Sequence, residues 1–88
     1  NEVANVYGVT VDDIRSNKRS AQIPIARKVS AYVVKKITQM SYKAIGLEIG
    51  GRDHSTIVYY IDDVIANMKK DPHAKEMIED IMKNIRNK

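Results

Sequence analysis

The 88-residue sequence contains no cysteine and no long apolar run. Without cysteine the chain has neither disulfide bonds nor thiolate ligands for a metal, which agrees with a reducing, cytoplasmic setting. No apolar stretch approaches the roughly 18 residues of a membrane-spanning helix, so we predict no membrane span. The alternation of apolar and polar residues that is typical of strands is missing as well. These absences leave an all-α domain of five or six helices as the expectation.

The length of the chain suits a single small domain, which we place at residues 1–88. Because the first residue is Asn rather than Met, we expect the domain to be a fragment of a longer protein. The net charge of +4 is unevenly distributed, since residues 15–52 carry nine Lys or Arg against one acid, a net charge of +8. Such a basic segment is typical of a surface that binds a polyanion, although a solubilising surface fits the same numbers.

Apolar residues at helical spacing and capping residues predict where the helices lie. The predicted helices are a short one ended by Gly8, one turn after Thr10, a long one at about 24–39, a short one at 41–49, a long one at about 53–69 and a last one from Pro72. Residues 15–22 are basic and without periodicity, which predicts a loop. We expect Val11 and Ile14 to face inward in the single turn, and Ile25 to belong to the buried stripe of the helix at 24–39.

The segment 50–56, GGRDHST, lies between two apolar-periodic runs and allows several interpretations. A phosphate-binding loop requires a following Lys and Ser or Thr and a preceding strand, and the sequence provides neither. A metal site could draw only on Asp53, His54 and the distant His73, and adjacent residues of a helix point in different directions. Nucleophilic catalysis by a hydroxyl of this segment lacks a third, orienting group. We therefore predict that this domain is not an enzyme and binds no metal.

Two interpretations of the segment remain. The glycines can end one helix while Asp53 or Ser55 caps the next, which leaves Arg52 and His54 without a role. A helix-turn-helix at about 41–69 uses all of these residues, because the start of its second helix enters the major groove of DNA. The residues predicted to contact base edges there are Asp53, His54, Ser55 and Thr56.

Basic side chains outside the reading helix are predicted to hold the DNA backbone. In this interpretation Arg52 reaches a phosphate, and the helix at 24–39 presents further cations. These further cations are Arg27, Lys28 and Lys35. The basic loop would act as an arm, with Lys18 or Arg19 entering a narrow minor groove.

GGRDHST followed by IVYYIDDV resembles the signature of the C-terminal DNA-binding domain of DnaA, the bacterial chromosomal replication initiator. The opening VYGVTVDDIRSNKRS and the segment SYKAIG are also similar to that family, so that the resemblance covers essentially residues 1–88. It implies a Trp-repressor-like helix-turn-helix that binds double-stranded DnaA boxes, which are A·T-rich, TTATCCACA-like elements at replication origins. Initiation of chromosomal replication, and also transcriptional regulation, would be the function.

The family resemblance also implies roles for single residues and for the rest of the protein. Arg19 would enter the minor groove, while Lys18, Tyr42 and Lys43 would join the phosphate contacts. No cofactor is implied for this domain; ATP and Mg would belong to an AAA+ module upstream in the parent protein. Other initiator subunits would be partners, and the location would be the cytoplasm, at the nucleoid. Ser55 and Tyr60 depart from the family, which has mostly Thr at the first position and a small residue at the second.

A second hypothesis, from another class, treats the domain as a helical protein-interaction module. Its last helix and the acidic pair Asp62–Asp63 would dock a regulator or a neighbouring initiator subunit.

Overall fold

The computed structural model describes residues 2–87, which form six helices and no strand. The helices are α1 (Glu2–Tyr7), α2 (Val11–Arg15), α3 (Ile23–Ile37), α4 (Tyr42–Glu48), α5 (His54–Lys70) and α6 (Pro72–Arg86). The predicted fold class, an all-α domain of five or six helices, is confirmed. Among the described residues, no helix is long and apolar enough to cross a membrane.

Capping side chains begin α2, α4 and α6 at the positions that the sequence predicts. Thr10 and Asp13 form a reciprocal capping box, in which each side chain accepts a hydrogen bond from the other residue's backbone N–H at 3.0 and 3.1 Å. The Ser41 hydroxyl accepts from the third residue of α4, and the Asp71 carboxylate caps α6. These caps satisfy backbone donors that have no partner within a helix.

Helix α3 forms the centre of the molecule and contacts all five other helices. Its buried side chains meet apolar residues of α4, α5 and α6 in one continuous core. The largest fully buried side chains are Val3, Ile45, Ile57, Ile78 and Ile81. Full burial of an aliphatic side chain of this size stabilises the fold by roughly 1.5–3 kcal/mol. The core therefore fixes α4 and α5, which carry the predicted reading surface, against α3.

Two apolar residues that were predicted to face inward are exposed. Ile25 is 47% exposed, because Ile23 and Ala26 take the inward positions at the start of α3 and Ile25 points away. Val11 is 45% exposed, whereas Ile14 in the same helix is buried. Helix α2 has only five residues, and this single turn buries one apolar side chain rather than two.

Candidate nucleic-acid interface

Helices α4 and α5 are joined by a tight turn that two glycines make possible. Gly50 and Gly51 have φ angles of +90° and +81°, a region that side-chain-bearing residues rarely adopt. The carbonyl of Gly46 accepts hydrogen bonds from the N–H groups of both Gly51 and Arg52, each at 2.9 Å. These bonds end α4 and direct the chain into α5, so α4 and α5 form the predicted helix-turn-helix.

Gly46 also sets how closely the two helices approach. A Cβ atom at this position would collide with the carbonyl group of Arg52 and would lie 3.5 Å from Cγ1 of the Ile57 side chain. Because hydrogen replaces that Cβ, the middle of α4 packs directly on the residues that precede α5. The exposed start of α5 is held in place by this contact and by buried Ile57.

Asp53 caps α5 and lies at its exposed start. Its Oδ1 atom accepts hydrogen bonds from the Thr56 backbone N–H at 2.9 Å and from the Ser55 hydroxyl at 3.1 Å. The pKa of the Asp53 carboxyl lies below its ordinary value, first because of the Thr56 N–H and then because of the side-chain hydroxyls of Thr56 and Ser55. The positive end of the helix dipole favours the same ionised state. A hydrogen-bond acceptor is therefore kept charged at the start of α5.

His54 and Ser55 are exposed beside this cap, while Thr56 is half-buried. The His54 ring lies edge-on to the Tyr42 ring, with the ring centroids 5.1 Å apart and an angle of 86° between the planes. The ammonium group of Lys35 lies 4.4 Å from the centre of the Tyr42 ring and donates to the Met40 carbonyl at 3.1 Å. Tyr42 thus supports His54 from α4, a contact that no sequence pattern indicated.

The basic segment, residues 15–20, starts at the last residue of α2 and ends before α3. Arg19 is exposed, and so is Lys18, whose ammonium group forms an ion pair with Asp13 at 3.0 Å. The segment bends back on itself, because the Ser16 hydroxyl donates to the Asp13 carbonyl at 2.6 Å and accepts from the Lys18 N–H at 3.1 Å. Arg19 therefore projects from an ordered segment.

Arg27, which was predicted to contact a phosphate, is buried and only 5% exposed. Its Nε atom donates to the Ile14 carbonyl at 2.9 Å, and Nη2 donates to the carbonyls of Lys18 at 2.9 Å and Asp13 at 3.2 Å. Burial lowers the pKa of the guanidinium, although an arginine stays protonated at neutral pH. The predicted phosphate contact is corrected here to a structural role, in which Arg27 holds the basic segment on α3.

Arg52 was also predicted to reach a phosphate, but its half-buried guanidinium donates to oxygen atoms of the protein itself. A guanidinium has five N–H donors, and the geometry offers five acceptors. The acceptors are the Tyr60 hydroxyl at 3.1 Å, the carbonyls of Ile49, Ser16 and Arg15, the last at 3.4 Å, and Oδ1 of Asn17 at 3.4 Å. The prediction is therefore corrected: Arg52 connects the turn to the basic segment. Tyr60 was missed as its partner, and the signal that could have found it was its unusual size for the family.

The other predicted backbone contacts lie at the surface. Lys43 is exposed, and Lys28 is half-buried. The Lys28 ammonium group forms an ion pair with Asp63 at 2.8 Å and lies 5.1 Å from the centre of the Tyr59 ring. The hydrogen bond from Lys28 to Asp63 raises the pKa of the lysine. This pair also occupies one of the two acids that the protein-interaction hypothesis assigned to docking.

Metal ligands do not gather around GGRDHST: residues 2–87 contain no group of three His, Cys, Asp or Glu that could hold a metal ion.

Comparison with protein families gives one finding for this chain. A family model described as the bacterial DnaA protein helix-turn-helix matches residues 1–64. The matched range contains α1 to α4 and most of α5, including the basic segment and all of GGRDHST.

Proposed function

The chain belongs to the bacterial DnaA helix-turn-helix family, and from this premise we propose that it binds double-stranded DnaA boxes at a replication origin. Family membership makes it a DNA-binding domain of replication initiation, without a catalytic role of its own. The recognition of one sequence, its bases and its phosphates is the further step that we propose. That step rests mainly on one observation, the exposed and preorganised start of α5 directly after the helix-turn-helix turn.

The start of α5 supplies the chemistry for reading base edges in the major groove. Asp53 accepts from the exocyclic amino group of a cytosine, and Ser55 and His54 donate to or accept from neighbouring edges. Thr56, which is half-buried, offers its methyl group to a thymine methyl. Arg19 enters the minor groove of an A·T-rich stretch, where the groove is narrow and its negative potential is highest.

The phosphate contacts come from side chains that remain at the surface. They are Lys18, Lys28, Lys35, Tyr42 and Lys43. Arg27 and Arg52 are left out, because their donors are directed at carbonyl and side-chain oxygens of the protein itself. Phosphate contacts fix the position of α5 on the duplex, and the base contacts then select the sequence.

The wider setting is part of the proposal as well. The domain brings the parent protein, with an upstream AAA+ module that binds ATP and Mg, to the origin in the nucleoid and next to other initiator subunits. Box binding within promoters would regulate transcription by the same contacts.

Fluorescence anisotropy with a labelled box duplex and a scrambled duplex tests box binding. We expect tighter binding to the box, and a loss of about 1–3 kcal/mol of box affinity in both His54→Ala and Arg19→Ala. His73→Ala is the matched control, since His73 is exposed in the first turn of α6 and outside the site. Equal binding to both duplexes, or none, would overturn box recognition and favour the protein-interaction module.

A further inference from the structure

The basic segment and the helix-turn-helix turn touch each other although they are far apart in sequence. A Cβ atom at Gly50 would collide with the Arg15 carbonyl and would lie 2.7 Å from Nη1 of Arg52. Gly50 therefore does more than adopt a positive φ, because its lack of a side chain lets the backbone of the basic segment lie directly on the turn.

Arg52 bridges this contact with both ends of its guanidinium. On one side Nη1 and Nη2 donate to the backbone carbonyls of Arg15 and Ser16. On the other side Nε donates to the Tyr60 hydroxyl, which is fixed on α5. The planar guanidinium allows these bonds to form at the same time in fixed directions, which a lysine ammonium group cannot do. Arg52 thus ties the basic segment to the reading helix.

Arg27 holds the same segment from the other side. Its bond to the Lys18 carbonyl lies one residue before Arg19, and its bond to the Ile14 carbonyl lies at the end of α2. Arg19 itself is exposed. The backbone is therefore anchored on both sides of residue 17, and the exposed guanidinium of Arg19 leaves the protein from a defined point relative to α5.

We propose that Arg52 and Tyr60 are positioning residues that fix Arg19 relative to the start of α5, so that both grooves are read in a single register. The inference rests on the proposed function, and it adds a structural coupling between two reading elements. A free arm loses conformational freedom when it enters a groove, and that loss opposes binding. An arm that is already tied to the turn loses less, and it reaches the groove at one fixed distance from the major-groove contacts.

Tyr60 is the residue of this pair that tests the coupling without a change of charge. Its ring is half-buried and packs against the core, while its hydroxyl accepts from Arg52. Tyr60→Phe keeps the ring and removes only the acceptor. Tyr59→Phe removes one hydroxyl from the neighbouring ring, which is 57% exposed, and serves as the matched control.

The experiment measures box affinity with base analogues that alter one groove at a time. Diaminopurine in place of each adenine in turn adds an amino group to the minor groove, like that of guanine, and leaves the major-groove edge unchanged. Uracil in place of each thymine removes only the major-groove methyl group. For the wild-type protein we expect diaminopurine at the most sensitive position of the box to weaken binding about tenfold.

In Tyr60→Phe we expect the weakening by diaminopurine to fall from about tenfold to about threefold or less. The reason is that the variant loses one hydrogen bond to a charged group, which no longer holds Arg19 in place. The uracil effects should stay unchanged, as should both effects in Tyr59→Phe. Arg52→Lys should behave like Tyr60→Phe; if it fails to fold by circular dichroism, Tyr60→Phe decides alone. An undiminished diaminopurine effect in folded Tyr60→Phe would overturn the coupling. A wild-type chain without box preference would instead overturn the proposed function, so the two failures are distinguishable.

Discussion

At the scale of single residues, Asp53 combines a structural role with a proposed recognition role in one carboxylate. The structural role is the cap of α5, through the Thr56 N–H and the Ser55 hydroxyl. Asn caps helices about as well as Asp, whereas Ala does not. Substitution can therefore separate the two roles.

We predict that Asp53→Asn keeps the melting temperature close to that of the wild type but lowers the preference for the box. The amide presents an NH₂ group where the proposed cytosine contact needs an acceptor. Asp53→Ala should lower both the melting temperature and the box preference. Thermal unfolding followed by circular dichroism, together with anisotropy on box and scrambled duplexes, checks this; unchanged preference in Asp53→Asn would remove Asp53 from the base contacts.

The stability of the wild type and of Asp53→Asn should depend differently on pH. The pKa of Asp53 is lower in the folded state, chiefly because the Thr56 N–H donates to the carboxylate. Such a group contributes stability above its unfolded pKa, and the contribution is lost as the pH falls through the folded pKa. We therefore expect wild-type stability to fall more steeply than that of Asp53→Asn between about pH 5 and pH 2. Asp13, whose pKa is lowered chiefly by Lys18, is present in both proteins and cancels in the comparison. Parallel melting curves at all pH values would contradict the expectation.

The sequence could predict the partners of Asp53 but not those of Arg27 and Arg52. Asp53 could be predicted as a cap because the cap and its donors lie within three residues of each other. The partners of Arg27 lie 9 to 14 residues away, and those of Arg52 in the basic segment lie 35 to 37 residues away. A basic residue looks the same in sequence whether it faces a phosphate or a set of carbonyl groups. Only the folded path of residues 13–18 decides between them.

At the scale of elements, the packing of α4 on the start of α5 depends on Gly46. Ala is the better helix former by about 1 kcal/mol, so Gly46→Ala would stabilise the chain if the site were open. The Cβ atom instead meets the Arg52 carbonyl, which belongs to the backbone and cannot simply rotate away. We predict a net destabilisation of about 1–3 kcal/mol.

Denaturant unfolding measures this change, and its sign decides the outcome. Glu48→Ala, an exposed substitution in the same helix, should stay within about 0.5 kcal/mol of the wild type. A Gly46→Ala protein that is more stable than the wild type would mean that α4 and α5 do not approach as closely as described.

Element starts could be predicted more reliably than element ends or faces. Thr10, Ser41 and Asp71 mark starts through local caps, and each prediction is confirmed. Helix α3 ends at Ile37 rather than near residue 39. The hydroxyl of the next residue, Thr38, donates to the Val34 carbonyl at 2.7 Å and closes the last turn. The exposure of Ile25 was missed because the inward face at a helix end depends on which neighbours reach it.

At the scale of the whole molecule, the charge asymmetry of the sequence becomes an uneven surface. Residues 15–52 carry the net charge of +8, but two of their arginines direct their donors inward. Seven cations of this segment remain, among them Arg15 and Lys36, which are exposed. The five that we assign to DNA contacts are Lys18, Arg19, Lys28, Lys35 and Lys43. Two of these five already have acidic partners, Lys18 with Asp13 and Lys28 with Asp63. The number of phosphates that the domain neutralises should therefore be smaller than its count of basic residues indicates.

This count gives a prediction for the salt dependence of binding. Each neutralised phosphate contributes about −0.9 to the slope of log K against log salt concentration, so about four contacts give a slope near −4. If Arg27 and Arg52 also contacted phosphates, about six contacts would give a slope near −5. Lys43→Gln should make the slope less steep by about 1 and weaken box and scrambled duplexes alike, because a phosphate contact carries no sequence information. Lys75→Gln, the same change of charge on an exposed residue of α6, should leave the slope unchanged. A steeper wild-type slope would mean that more than four cations contact phosphates, either exposed Arg15 and Lys36 or Arg27 and Arg52 after they leave their carbonyl partners.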